Sequence, residues 1–298
     1  MSKQIAATPR QEETIGSRLS RLWHSYLWVD FVIFIGLGVL CLLMIYPFLW
    51  LIFSSFKTVK DIVTLPVQLL PREAWTLEPF QRVLTASDVP RAYLNSLFLS
   101  GTAVFIILVT SSLGGYVFAR LHFPGRDLLF LFILSTTMVP FITLLIPLYL
   151  VMQRFGLLNT YMAVLLPSIV SSFGIFLCRQ FISVIPRDLY EAAKMDGCGD
   201  LAIFIRIILP LIKPVLSTLA IFAFLGTFNS YLWPLVVLND KSKFTLPIAL
   251  TKLLSTYGVT NYDLIMPASL LATVPPIVVY LTFQRNFVRG IALSGLKG

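Results

Sequence analysis

One short stretch of the chain, residues 186–197, combines charged side chains with small ones. Pro186 suits the first turn of a helix, and Gly197 is the residue type that best takes a left-handed conformation at a helix C-terminus. The stretch therefore predicts a helix of about two turns. Asp200 is expected to cap a second amphipathic helix, Leu201–Ile208, that Pro210 breaks. Two such helices joined by a glycine turn form a compact knob outside the bilayer, and the alternative is an ordinary connecting loop.

The side chains that support catalysis or metal binding are scattered. Cys41, Cys178 and Cys198 lie far apart, and the first two are inside apolar runs, which fits neither a disulfide framework nor a zinc site. His24 and His122 are also far apart in the sequence. The sequence contains no G-x-x-x-x-G-K-[ST] phosphate loop. We therefore predict neither an enzyme active site nor an ATPase within this chain.

The composition indicates that lipid surrounds much of the protein. Of the 298 residues, 57% are hydrophobic and only 12% are charged, whereas soluble domains carry roughly 25% charged residues. The net charge of +9 could indicate a nucleic-acid partner, but the basic residues are spread between apolar runs and form no block. Contact with anionic lipid headgroups is the favoured interpretation, and no nucleic-acid partner is predicted.

Six uncharged apolar runs are each long enough to cross a membrane, which takes about 20 residues. They cover residues 31–56, 92–119, 128–153, 155–178, 215–239 and 264–284. We predict an all-α integral membrane protein with a bundle of six transmembrane helices. The polar stretch, taken as the 186–210 segment, lies between spans four and five. Prolines recur inside the runs, which fits a bundle that encloses a path.

Residues 1–30 are predicted to form an N-terminal segment ahead of a transmembrane domain that covers residues 31–298. The first run is too long and too far from the N-terminus for a cleaved signal peptide. Four apolar or aromatic residues fall at helical spacing, with basic residues on the other side: Leu19, Leu22, Trp23 and Tyr26. This pattern fits a helix lying in the membrane interface, and a disordered basic tail is the open alternative.

The 186–210 segment resembles the "EAA" motif of the membrane subunits of bacterial ATP-binding-cassette (ABC) importers. Glu191-Ala192-Ala193 is followed after three residues by Gly197, and after nine more by Ile207-x-Leu209-Pro210. Every fixed position of that motif is present at the right spacing. Further similar stretches lie at residues 93–96, 119–126, 147–161, 228–235 and 284–290. One departure is Phe228, where relatives more often have Trp.

Most of the chain is similar to the carbohydrate-uptake (CUT1) branch of this family, and to the shorter membrane subunit of the maltose importer. The resemblance implies a type I importer fold in which the 186–210 segment is a cytoplasmic coupling helix. The implied ATPase-coupling residues are Glu191, Ala192, Ala193, Asp196, Gly197, Leu209 and Pro210. A role for Glu191 as a solvated carboxylate, weakly paired with Arg187 or Lys194, is the alternative.

The resemblance also implies the partners. They are a pair of ABC ATPase subunits, a second and different permease, and an extracellular or periplasmic sugar-binding protein. ATP and Mg²⁺ would be bound by the ATPase, and no cofactor by this chain. The charge distribution gives only a weak orientation, because both sides carry nearly the same density of Lys and Arg. The resemblance places the 186–210 segment and both termini in the cytoplasm of a bacterial or archaeal cell.

Asn95, Asn229, Tyr231 and Trp233 offer the polar edges and aromatic faces that sugars favour, so we expect them along the substrate path. Trp233 could equally be an interfacial anchor, and in the maltose importer the other permease chiefly holds the sugar. The main alternative function is a secondary transporter driven by an ion gradient. Such proteins usually have ionisable residues inside the membrane, and the six runs contain no Asp, Glu, Lys or Arg.

Overall fold

The computed structural model describes residues 15–66, 68–72, 74–86, 88–254 and 262–295, and within them every regular element is a helix. In chain order these are α1 (Ile15–Ser54), α2 (Val59–Val63), α3 (Glu78–Ala86), α4 (Val89–Arg120), α5 (Arg126–Ser135), α6 (Phe141–Arg154), α7 (Tyr161–Leu165), α8 (Ser172–Val184), α9 (Arg187–Met195), α10 (Asp200–Ile203), α11 (Leu209–Leu211), α12 (Lys213–Phe228), α13 (Leu232–Val237), α14 (Leu246–Leu254) and α15 (Tyr262–Gly295). Short 3₁₀ turns occupy Thr136–Met138, Leu166–Ser168 and Lys241–Lys243, and a π-helical turn occupies Phe204–Ile208.

Three helices are long and apolar enough to cross a membrane without a break. The crossing parts are Trp28–Ser54 of α1, all of α4, and Tyr262–Gln284 of α15. They agree with the first, second and sixth runs read from the sequence. Residues 15–30 are helical and continuous with the first span, while residues 1–14 lie outside the described part. The interfacial position of this N-terminal helix stays a prediction.

Three further spans are each made of two helices that meet at an angle. The pair Arg126–Met138 and Phe141–Arg154 is bent by 103°, the pair Tyr161–Ser168 and Ser172–Val184 by 42°, and the pair Asp200–Leu211 and Lys213–Phe228 by 78°. With one span per pair, the described residues contain six candidate spans. The six-helix transmembrane bundle predicted from the sequence is confirmed.

The third and fourth spans depart from their predicted limits. The run 128–153 is broken because Val139 and Pro140 are extended, with ψ of 117° and 133°; a proline disfavours helical backbone in the residue before it. The run 155–178 becomes helical only at Tyr161, since Gly156 and Asn159 have φ of +65° and +59°. After the bend the second helix of this span, α8, ends at Val184, beyond the predicted end.

The first helix of the fifth pair, Asp200–Leu211, coincides with the second arm of the 186–210 segment, so α12 alone corresponds to the predicted run 215–239. Helix α12 ends at Phe228, short of the predicted limit, and residues 229–231 separate it from the short helix α13. The break leaves polar and aromatic side chains at the end of α12.

Helix α4 is the centre of the bundle and packs against α8 and α12, while α12 packs against α15. Glycines permit the approach of α4 to α8: a Cβ at Gly115 would overlap Cys178, and one at Gly174 would overlap Ser111. The same hydrophobic core includes Ala193 of α9 and residues of the following arm. The 186–210 segment is therefore packed onto the bundle.

Candidate functional site

Helix α9 forms the first half of the 186–210 segment and ends in a Schellman motif. Gly197 has φ of +78°, which confirms the left-handed conformation predicted for it. The backbone N–H of Cys198 donates to the carbonyl of Ala193 (2.9 Å), and that of Gly197 donates to Lys194 (3.0 Å). This pair of hydrogen bonds fixes the turn that leads into the second arm.

The motif residues lie on two different faces of α9. Ala193 is only 7% exposed and packs into the core, so its small side chain permits close approach to the bundle of this chain itself. Glu191, Ala192 and Asp196 are exposed. Glu191 forms no hydrogen bond or ion pair with any residue that the structure describes, because Lys194 pairs with Asp200 instead. The Glu191 carboxylate is therefore available to a partner.

The second arm differs from its prediction. Asp200 does not cap the helix: Gly199 is the N-cap residue, without a side-chain cap, and Asp200 is the first helical residue. Pro210 does not break the arm either, because it lies in the first turn of α11, where a proline is tolerated. The helical arm runs through the π-helical turn and ends at Ile212. Leu209 is half-buried against the core, and Pro210 is exposed.

Asp200 joins the two arms through its carboxylate and joins the second arm to span two chiefly through its backbone carbonyl. The hydroxyl of Tyr190 donates to Oδ1 (2.7 Å), and Nζ of Lys194 lies 3.0 Å from the same oxygen. Tyr116, on α4, donates to the backbone carbonyl of Asp200 (3.2 Å), with its hydroxyl 3.5 Å from Oδ1. The hydrogen bond to the Asp200 carboxylate raises the pKa of Lys194.

Arg120 makes a second contact between span two and the neighbourhood of the segment, and the sequence pattern did not predict it. It is the last residue of α4 and is only 7% exposed. Its Nη2 donates to the carbonyls of Ile182 (2.8 Å) and Ile185 (2.5 Å), at the C-terminal end of α8. A cation is favourable there because the terminal carbonyls carry partial negative charge. Arg120 thus fixes the chain where the 186–210 segment begins.

Both arms of the segment carry exposed apolar side chains. Met195 is 84% exposed and Leu201 65% exposed, and Leu189 and Ile205 are exposed as well. Exposed apolar groups of this kind occur where a protein contacts a partner protein or the membrane.

Two of the four residues expected along the substrate path are engaged within the protein. Asn95 donates through Nδ2 to the carbonyls of Ser242 (3.0 Å) and Phe244 (2.9 Å), and its Oδ1 accepts from the hydroxyl of Tyr161 (2.8 Å). Trp233 is 5% exposed and donates through Nε1 to the carbonyl of Ala163 (2.9 Å). Their polar groups hold neighbouring helix ends together.

The other two, Asn229 and Tyr231, are exposed at the break between α12 and α13. Neither side chain makes a hydrogen bond to any residue in the described ranges. Beside the break lies a cavity of about 300 Å³, the lower end of the range for small-molecule sites. Its lining includes Phe141, Ser168, Phe222, Thr227, Ser230 and Trp233.

Six candidate spans, four of which line such a cavity, with a two-helix segment between the fourth span and α12, are the architecture of a multi-pass membrane transport subunit. The family model described as "binding-protein-dependent transport system inner membrane component" matches residues 111–293. The chain belongs to this family. It is a transport subunit and not an enzyme, in agreement with the sequence prediction.

Several characterised relatives cover nearly the whole chain. It is 36% identical to the arabinooligosaccharides transport system permease protein AraQ of Halalkalibacterium halodurans, over 91% of this chain and 97% of that one. It is 34% identical to the lactose transport system permease protein LacG of Rhizobium radiobacter, over 88% and 94%. A crystal structure of a bacterial ABC transporter that imports the acidic polysaccharide alginate shares the fold, with a TM-score of 0.78 and 24% identity over 94% of this chain and all of that one.

Proposed function

We propose that the chain is a membrane-spanning permease subunit of an ATP-driven importer that takes up a sugar delivered by a binding protein. The observation that carries the proposal is the 186–210 segment, in which an unpaired Glu191 and exposed apolar side chains stand on a base packed into the bundle. The names of the relatives, which transport arabinooligosaccharides and lactose, support a sugar as the substrate.

The 186–210 segment is proposed to bind a separate ABC ATPase, present as a homodimer or pair, which holds ATP and Mg²⁺. ATP can drive a conformational change only by favouring one state of the complex over the other. The segment must therefore move with the ATPase without bending at its base. The packing of Ala193 into the core and the Schellman turn at Gly197 provide that stiffness.

The cavity beside α12 is proposed to lie on the substrate path, together with a second permease subunit. Aromatic rings of Phe141 and Phe222 are exposed there, and such rings stack against the apolar faces of sugars. The hydroxyls of Thr227 and Ser230 make no hydrogen bond to another described residue and are free to bond to a sugar hydroxyl. Of the four residues expected from the sequence, Trp233 lines the cavity, while Asn229 and Tyr231 are exposed at the adjoining break.

The proposed orientation places the 186–210 segment and both termini in the cytoplasm of a bacterial or archaeal cell. A reporter enzyme that is active only outside the cytoplasm tests it. Fusions at Glu78 and Thr251 should be active, and fusions at Gly125 and Asp196 should be silent. The reverse pattern would contradict the orientation.

Assembly with the partners tests the function itself. The chain purified alone should hydrolyse no ATP. The complex with its ATPase and second permease should hydrolyse ATP at a rate that rises when sugar-loaded binding protein is added. If the ATPase did not bind to this chain and the second permease, the proposal would be overturned.

A further inference from the structure

We infer that Asp200 is a positioning residue that makes the 186–210 segment and span two move as one body, an inference that rests on the proposed coupling function. Three side chains converge on this residue. Tyr190 and Lys194 come from the coupling helix α9, and Tyr116 comes from the C-terminal end of α4. No other carboxylate in the described part of the segment is contacted from a span.

The first consequence is a fixed angle between the two arms of the segment. Tyr190 and Lys194 are four residues apart and so lie on one face of α9. Both bind Oδ1 of Asp200, which is the first residue of the second arm. Because this contact and the Gly197 turn lie at different points, the arms cannot rotate about the turn without breaking a hydrogen bond or an ion pair.

The second consequence is a connection to span two. Tyr116 is only 3% exposed, and its ring packs against Phe204 of the second arm with centroids 5.3 Å apart. Its hydroxyl donates to the Asp200 carbonyl. Arg120, four residues along the same helix, binds the carbonyls at the end of α8. Span two thus holds the chain just before α9 and just after it.

The arrangement indicates how a push on α9 reaches the transport path. Span two also packs against α12, which borders the cavity. A segment attached at both ends to α4 transmits its displacement to that helix. With the attachment weakened, ATP hydrolysis would continue while less of the movement reached the spans.

Tyr116→Phe tests this connection because the side chain is buried and cannot touch the ATPase. It removes one hydroxyl and no packing volume of the ring. The matched control is Tyr93→Phe, on the same helix, whose hydroxyl bonds to no described residue. Sugar uptake per ATP hydrolysed should fall by about two- to tenfold in Tyr116→Phe, the range expected for one hydrogen bond, and stay at the wild-type value in Tyr93→Phe.

Asp200→Asn and Asp200→Ala test the contact between the two arms, because both variants keep the backbone carbonyl to which Tyr116 donates. Asparagine keeps an oxygen that accepts from Tyr190 but loses the charge that pairs with Lys194, so its coupling ratio should fall between wild type and Asp200→Ala. The amount of ATPase that co-purifies should stay near wild type in Tyr116→Phe. A loss of co-purified ATPase equal to the loss of uptake would show a merely structural role and overturn the inference, as would a wild-type ratio in Asp200→Ala. A wild-type complex without sugar-stimulated ATPase would instead refute the proposed function.

Discussion

Gly197 offers a sharp test of the coupling geometry because its conformation is known and its surroundings are open. Its φ of +78° lies in the left-handed region, where a residue with a Cβ pays roughly 1–2 kcal/mol. A Cβ added at this position meets no atom within 4 Å. The penalty of a substitution therefore comes from backbone strain and not from a clash inside the chain.

Gly197→Val should weaken the turn because a β-branched residue is a poor fit to positive φ. A strain of about 1–2 kcal/mol lowers the population of the native turn roughly 5- to 30-fold relative to alternatives. The hydrogen bonds from Gly197 and Cys198 to the end of α9 are lost with it. The coupling helix then tilts, and ATPase binding and sugar uptake are lost while membrane insertion and abundance stay near normal.

Gly197→Asn is the matched control, since asparagine tolerates the left-handed conformation. Co-purified ATPase and sugar-stimulated hydrolysis are measured for both variants at equal membrane abundance. Gly197→Asn should retain most of the co-purified ATPase and of the sugar-stimulated hydrolysis, and Gly197→Val should lose both. Wild-type values in Gly197→Val would refute the role of the turn. Equal loss in both variants would show that the position must lack a side chain for a partner, and the strain argument would be wrong.

Four further substitutions in this chain test the remaining assignments. Glu191→Lys should abolish uptake and ATPase binding at normal abundance, because it places a repelling charge on the proposed contact surface. The same reversal at Glu78, which the proposed orientation places on the other side of the membrane, should have little effect. Trp233→Phe should lower thermal stability by about 1–3 kcal/mol, the cost of leaving a buried carbonyl without its partner, as measured by thermal unfolding. Asn95→Ala should lower the stability more than Trp233→Phe does, since it removes three hydrogen bonds. Asn229→Ala should lower uptake and leave stability unchanged. A loss of stability in Asn229→Ala would contradict the assignment of Asn229 to the substrate path.

The sequence predicted the straight spans well because hydropathy summed over a long helix depends little on local backbone. The breaks inside apolar runs were missed for the same reason. At Pro140 a proline forces the preceding residue out of the helix, and at Gly156 a left-handed glycine ends it, yet neither changes the hydropathy. Proline alone would not have located the breaks, since Pro47 and Pro147 lie inside continuous helices.

Whether a functional residue could be predicted depends on how far along the sequence its contact partner lies. The conformation of Gly197 was predictable because it depends on the helix that directly precedes it. Asp200 was misassigned as a cap because its contact to Tyr116 spans 84 positions. The polar groups of Asn95 are taken by carbonyls 147 and 149 positions away. Pattern and spacing do not show such contacts; only the packed bundle does.

Sugar uptake into proteoliposomes distinguishes an ATP-driven importer from an ion-gradient transporter. The chain is reconstituted alone, and also with its ATPase, the second permease and sugar-loaded binding protein, and accumulation of labelled sugar is followed with ATP or with an imposed ion gradient. Uptake should appear only in the full complex, require ATP and binding protein, and be insensitive to the gradient. Gradient-driven uptake by the chain alone would contradict the account.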